Sequence, residues 1–471
     1  RATSTVTGIV KPFTSMLGLP FLNKPTSVAA NTPVTTMPAR GMANASGLDL
    51  STVLALDPEA KVSVSSAIFG GSNAQPSWKE VLAVPSLIVV DSFTQAAAAD
   101  TLVASWPVRP NYAKTLALNK YAPGNLAYYS QFFKRWRGGI NYLIHFACPS
   151  NVTARVRVSF LPNVSATTAP PENQAGDIIS KVVSITGDTV LMFPIEYLGD
   201  TYLKKCQALS VVDSTNTNAV GRVTISVLNE VVSVNTAAVT PVYVTVWMAA
   251  AENFVFSMVD DFPAGWAPDF TAGVTKQTSL RELFSKGTPN GMVPTVLLQE
   301  EGIVTPEKFT GPLDPLHRFT PAFDVTANGS YARTQPVTDT FMWLFLLPFL
   351  GWRGSLRYKL VVNTYFGSDY YIVGWTADSP TTNYSSGFQI FGSGSVAEFE
   401  CPYYDYYAWR ETYPIMTVAP RDDFRVAGGG SGTFNCWYAT GDDFSLGPLY
   451  GPPILKYTPP PTPAKVGFED A

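Results

Sequence analysis

An internal duplication constrains this chain more than any other feature. Trp136-Arg137-Gly138-Gly139-Ile140-Asn141-Tyr142 returns as Trp352-Arg353-Gly354-Ser355-Leu356-Arg357-Tyr358. Each copy follows an aromatic-rich segment and precedes an alternating apolar stretch. Trp247-Met248-Ala249-Ala250-Ala251-Glu252-Asn253-Phe254 is echoed by Trp437-Tyr438-Ala439-Thr440-Gly441-Asp442-Asp443-Phe444. Between these landmarks Leu191-Met192-Phe193-Pro194 has a looser counterpart in Phe399-Glu400-Cys401-Pro402, and both run on into tyrosines. Solenoid repeats recur every ~20–50 residues. Here the spacing runs from 190 (Trp247 to Trp437) to 216 (Trp136 to Trp352), so the repeated unit is a whole domain.

Within each copy the pattern is β. Residues 154–160 alternate apolar and polar side chains, the period-two signature of a half-buried strand. Residues 86–91, 140–146, 190–195, 222–232 and 242–247 continue the series in the first copy. Residues 356–362, 370–375, 396–401 and 433–438 do so in the second. Two helices are predicted: an aromatic one over 128–135, and one over 279–284, where Ser279 and Glu282 form a capping box. Strands joined by long turn-rich loops, without a βαβ rhythm, point to antiparallel sandwiches. The predicted division is an extended N-terminal arm (1–60), a first domain (61–262), a Pro/Gly/Thr-rich linker with a short helix (263–310), a second domain (311–457) and an extended tail (458–471).

Composition narrows the class. Charged residues are 14% of the chain against about 25% in ordinary soluble domains, so much uncharged surface must be covered internally or by partners. A net charge of −4 excludes a global basic field for nucleic acid. The first 48 residues differ: Arg1, Lys11, Lys24 and Arg40 stand there without an acidic residue, a candidate RNA-contacting arm or a neutral packing arm. Cys148, Cys206, Cys401 and Cys436 lack metal or redox spacing, and reduced buried thiols of a cytosolic protein are the expectation. Sequons stand at Asn44, Asn151, Asn163, Asn328 and Asn383, yet no signal-peptide pattern accompanies them. The longest apolar run, 341–352, contains Pro348 and is too short to span a bilayer, so no membrane span is expected. No GxSxG, Walker loop or HExxH occurs, and two histidines, His145 and His317, are a thin basis for a hydrolase. No cofactor or metal is expected.

Gly351-Trp352-Arg353-Gly354-Ser355-Leu356-Arg357-Tyr358-Lys359 resembles the third-strand motif of capsid subunits from picorna-like viruses. Gly441-Asp442-Asp443-Phe444-Ser445-Leu446-Gly447, closing at Gly451-Pro452-Pro453, is similar to the end of a capsid subunit in dicistroviruses and marnaviruses. Ser279-Leu280-Arg281-Glu282-Leu283 resembles a segment near that subunit's start, and Leu22-Asn23-Lys24-Pro25-Thr26-Ser27 resembles part of a different subunit. The resemblance implies an all-β fold of two tandem eight-stranded antiparallel jelly-roll sandwiches behind an extended arm. It also implies a structural protein of an icosahedral, pseudo T=3 shell, resident in the virion and assembled in the host cytoplasm. The implied partners are other copies of the chain, at least one further jelly-roll subunit, genomic single-stranded RNA on the inner face and an unidentified host receptor. Relatives of the dicistrovirus kind cut the two subunits apart, whereas here they share one chain, as in the comovirus-like large coat protein. Gln277-Thr278 is a candidate cleavage site by its location.

The same resemblance implies an autolytic role for an Asp-Asp-Phe motif in maturation cleavage of a neighbouring capsid precursor, a carboxylate acting as base or orienting water. Asp442-Asp443-Phe444 fits that context best; Asp260-Asp261-Phe262 and Asp422-Asp423-Phe424 are the other candidates. On an extended stretch adjacent carboxylates point to opposite faces, so one could address a bond. The plainer reading is a turn whose carboxylate accepts backbone hydrogen bonds. Trp136, Arg137 and Gly138, with Trp352, Arg353 and Gly354, read as structural: a planar cation that stacks on rings or bridges carboxylates. The rival class is a secreted tandem β-sandwich for carbohydrate binding or adhesion.

Overall fold

The computed structural model describes residues 52–55, 57, 61–70, 73–117, 119–162, 179–209, 218–233, 241–269, 309–326, 330–332, 340–364, 370–375, 386–392, 396–404, 407–412, 422–428 and 433–458. The arm cations Arg1, Lys11, Lys24 and Arg40, the 279–284 helix, Gln277-Thr278 and the tail from 459 lie outside them.

Eight main strands come from the first copy: β1 (Ser86–Phe93), β2 (Leu102–Pro107), β3 (Ile140–Ala147), β4 (Val152–Pro162), β5 (Ile179–Thr186), β6 (Thr189–Ile195), β7 (Gly221–Ser233) and β8 (Val242–Ala250). They form two antiparallel sheets, ordered β6-β3-β8-β1 and β2-β7-β4-β5. The second copy supplies β9 (Thr320–Thr326), β10 (Ser330–Ala332), β11 (Leu356–Thr364), β12 (Tyr370–Trp375), β13 (Ser386–Gly392), β14 (Val396–Cys401), β15 (Asp422–Gly428) and β16 (Thr433–Thr440). Their order, β14-β11-β16-β9 and β10-β15-β12-β13, repeats the first, strand for strand. Each set crosses between its two sheets at every connection except β4–β5 and its counterpart β12–β13, in the jelly-roll manner.

Alternation places the core. β4 buries Val152, Ala154, Val156 and Val158 on one face while Thr153 and Arg155 face water. Trp106 of β2 meets Tyr142 of β3 across the sheets at 5.6 Å, and both are fully buried. Tyr358 of β11 meets Phe424 of β15 at 4.8 Å, and Tyr371 of β12 meets Phe434 of β16 at 4.8 Å. Burying such a ring contributes about 1.5–3 kcal/mol, so these cross-sheet pairs hold the layers together.

Short helices interrupt the strands along the chain. α1 (Trp78–Leu82) opens with a capping box in which Ser77 and Glu80 satisfy each other's backbone. Ser77 draws the Glu80 carboxyl below its ordinary range through the backbone bond. α2 (Asn125–Tyr129) is tied to α1 by Asn125, whose amide donates to the Val81 carbonyl at 3.0 Å. α3 (Leu313–Leu316) precedes β9, and α4 (Phe341–Leu346) starts on a Thr340 cap.

Two readings need correction. The helix expected over 128–135 ends at Tyr129; one 3-10 turn follows, and Phe133–Arg137 is a strand. There Phe133 and Trp136 bury while Lys134 is exposed, and pairing with Val255–Val259 outweighs the helical look of the aromatics. The apolar run 341–352, by contrast, is as short in helix as expected: it divides into α4 and a short strand, Gly351–Arg353. The match of Leu191–Pro194 to Phe399–Pro402 is displaced by two residues. Ile140 pairs with Ile195 and its counterpart Leu356 with Cys401, so Phe193 matches Phe399 and Pro194 matches Glu400. A shift of two keeps each side chain on its own face, which hides the displacement in an alternating pattern.

The segment ahead of the first sandwich does not stay with it. Thr52–Val53 pairs in parallel with Phe399 and Glu400 at the outer edge of β14, and Leu54 is fully buried. Residues 52–55 therefore extend a sheet of the second copy, although they fall within the expected arm.

Candidate functional site

The sequence repeats meet one another in space, at one corner of each sandwich. In the first, Trp136 stacks on Phe254 at 5.9 Å and meets Tyr197 edge-on at 5.5 Å. The Arg137 guanidinium lies 5.8 Å from the Tyr197 ring and 5.2 Å from Tyr202. Gly138 sits at φ +116°, where a Cβ would come 2.4 Å from the Phe254 Cα. Asn253 Oδ1 accepts from Gly139 N at 2.9 Å.

The second corner repeats the plan. Trp352 stacks on Phe444 at 5.4 Å and meets Tyr403 at 6.0 Å. Arg353 lies 5.4 Å from the Tyr403 ring and donates to the Ala408 carbonyl at 2.7 Å. Gly354 has φ +126°, and a Cβ there would stand 2.4 Å from the Phe444 Cα. Asp443 Oδ1 accepts from Ser355 N at 2.8 Å, so Asp443 holds the place of Asn253.

Asp442 and Asp443 stand in a turn after β16 rather than on an extended stretch, and their carboxylates have unlike surroundings. Asp443, 4% exposed, accepts from Ser355 N, from Ser355 Oγ at 2.5 Å and from Val62 N at 2.9 Å. A carboxylate so occupied orders the backbone around it. The Asp442 side chain is 72% exposed and 3.2 Å from Lys61 Nζ. Its hydrogen bond pushes the Lys61 ammonium above its ordinary value. Phe444 is fully buried.

Beside them lies Glu400, 6% exposed, a member of the Phe399–Pro402 match to which the sequence assigns no site role. Burial pushes its carboxyl above the ordinary value, against the opposing pull of Ser355. The available signal was a charge between Phe399 and Cys401 in an apolar strand.

The alternative motifs sit elsewhere. Asp260 donates its N–H to the Phe132 carbonyl at 2.7 Å and is 3.7 Å from Lys134, while Phe262 packs on Phe132 at 5.0 Å. Phe424 is a core ring of β15, against Tyr358 and Phe399. His145 on β3 is partly exposed and 3.8 Å from Asp188, and His317 Nδ1 is 2.9 Å from Thr440 Oγ1. None of the four cysteines is in a disulfide; Cys401 and Cys436 are buried, and burial pushes the Cys436 thiol far up. Among the described residues no group of three or more His, Cys, Asp or Glu is placed to hold a metal ion. No described helix is long and apolar enough to cross a membrane.

No protein-family model matches the chain. Over 165 residues it is 26% identical to the structural polyprotein of Cricket paralysis virus, a match spanning 33% of this chain and 18% of that polyprotein. Among solved structures, the Triatoma virus empty capsid aligns at 20% identity and TM-score 0.41, over 49% of this chain and 93% of that one. Black queen cell virus aligns at 21% and 0.42, over 50% and 96%. A marine algae virus of the order Picornavirales aligns at 18% and 0.40, over 48% and 92%. The chain is thus similar to capsid proteins of picorna-like viruses.

Proposed function

We propose that this chain is a structural coat protein of a small, non-enveloped, positive-strand RNA virus. The observation that carries the reading is the relation to a dicistrovirus structural polyprotein. The ordered motifs, the all-β fold and the low charge support it. On this reading two jelly-roll domains, 61–262 and 311–457, tile an icosahedral shell of pseudo T=3 type. They do so with further copies and at least one other jelly-roll subunit. The arm, with Arg1, Lys11, Lys24 and Arg40, runs beneath them against single-stranded RNA; extended arms order on binding and cover large areas. The protein resides in the virion after assembly in the host cytoplasm and is not a conventional enzyme.

The Asp-Asp-Phe corner divides its work under this proposal. Asp443 holds the corner, and Asp442, exposed and paired with Lys61, is the carboxylate that addresses a scissile bond in a neighbouring precursor. Asp442→Asn should then block maturation cleavage in assembled particles while leaving the fold intact. Unchanged cleavage in that variant would remove the role.

The direct test of the coat-protein reading is sedimentation of the natively produced protein, with negative-stain imaging of the heavy fraction. Uniform icosahedral particles containing this chain are expected. A soluble monomer with neither particles nor RNA would overturn the reading in favour of the carbohydrate-binding sandwich.

A further inference from the structure

The two copies touch through their own equivalents. Tyr128 Oη donates to the Leu344 carbonyl at 2.5 Å and Tyr129 Oη to the Phe345 carbonyl at 3.3 Å, each across 216 residues. That separation is also the one between Trp136 and Trp352, so α2 lies against the α2 of the other copy, which is α4. The rings of Tyr129 and Phe345 are 5.1 Å apart.

A second place behaves alike. α1 and α3 each end four residues before the first strand of their sandwich, which makes Ser77 and Gly311 counterparts. Those segments cross: Trp78 N donates to the Thr310 carbonyl at 3.1 Å, and a Cβ on Gly311 would stand 2.8 Å from the Pro76 carbonyl oxygen.

The contacts are also reciprocal. The segment leading into the first sandwich lies on the second, where Leu446 N donates to the Ala74 carbonyl at 2.8 Å and Phe69 meets Trp409 at 6.3 Å. The segment leading into the second lies on the first, with Phe309 5.6 Å from Phe133. Phe133 in turn stacks on Phe256, the counterpart of Leu446, at 4.7 Å. Equivalents meeting on a line, with each copy contacting the other by the same parts, are the signature of an isologous two-fold contact. A head-to-tail contact lacks that reciprocity.

We infer that the two sandwiches are each other's assembly partner, an isologous pair closed around a local two-fold axis through α2 and α4. The contact belongs to the folded chain, so the pair is complete before any other copy is met. The covalent link between them then sets stoichiometry, while non-covalent contacts hold the halves together, those of Trp266–Pro268, Phe309 and Thr310 among them. This stands whether or not the protein forms a shell.

The test is to insert a specific protease site near Gln277-Thr278 in the full chain, cut after folding, and run native gel filtration. The nicked halves should co-elute at the mass of the intact chain and part only in denaturant. Phe345→Ala should weaken the nicked pair about 100-fold by dilution. Tyr128→Phe, which keeps the ring and removes one hydrogen bond, should weaken it about 5-fold. Ile390→Ser, at an exposed position on β13, should leave it unchanged. Halves that separate in native buffer, or a pair as tight in Tyr128→Phe and Phe345→Ala as in the parent, would overturn the inference.

Discussion

Gly354 carries the backbone strain of the second corner. Its φ of +126° is costly for any side chain, and a Cβ would collide with the Phe444 backbone, which cannot move without unstacking Trp352. Gly354→Ala should therefore cost about 3 kcal/mol by urea denaturation. Gly70→Ala, also at positive φ (+66°) but with nothing within 4 Å of a new Cβ, should cost only about 1 kcal/mol. Glu400 gives a pH-dependent companion. Its carboxyl binds a proton more tightly folded than unfolded, so the ionised form is penalised and its contribution to stability falls as pH rises through the raised value. Glu400→Gln should stabilise the protein near neutral pH. The gain should vanish in acid below the ordinary carboxylate value of 4.5, which paired urea melts would read. The tryptophan, arginine and glycine of each corner were legible because they recur in one order. Glu400 was not, because its meaning depends on Ser355 and Lys61, which only the fold brings near.

The edges of β6 and β14 show how one substitution changes what an element can accept. At β14, Glu400 presents an outward carbonyl that accepts from Leu54 N at 2.9 Å, and the parallel strand Thr52–Val53 adds there. At the same register on β6 stands Pro194, which has no N–H to offer and blunts the edge. Glu400→Pro should accordingly release residues 52–55 from the sheet, read as new protease sensitivity in that segment. Leu54→Ala, within the predicted arm, should cost about 2–5 kcal/mol because the side chain is fully buried. Strands 370–375 and 396–401 were legible to the residue, the first as an unbroken aromatic and β-branched run and the second by its alternation over Ala397–Cys401. β5 escaped notice because four of its first residues face solvent, and β9 and β2 because proline interrupts or ends them. The addition of Thr52–Val53 to a distant sheet leaves no trace in local pattern, which carries no information on long-range pairing.

Across the whole molecule, the crossing segments and the aromatic axis decide how the chain comes apart. Two sandwiches joined only by a linker would unfold as independent units with separate transitions. Here Trp78 touches Tyr129 and Phe133 of one copy and Phe345 of the other, at 5.1, 5.8 and 6.0 Å, so neither core is complete alone. Opening the second sandwich would expose Phe132, Tyr129 and Trp78, a burial that contributes about 1.5–3 kcal/mol per side chain. That sum is comparable with the whole stability of an ordinary domain, about 5–15 kcal/mol. Neither half should therefore outlive the other. Differential scanning calorimetry of the intact chain should show one endotherm, its calorimetric and van't Hoff enthalpies in agreement. Trp78→Ala, which removes the ring shared by both copies, should split it into two. Two resolved transitions in the parent protein would mean that the axis contact is too weak to couple the copies.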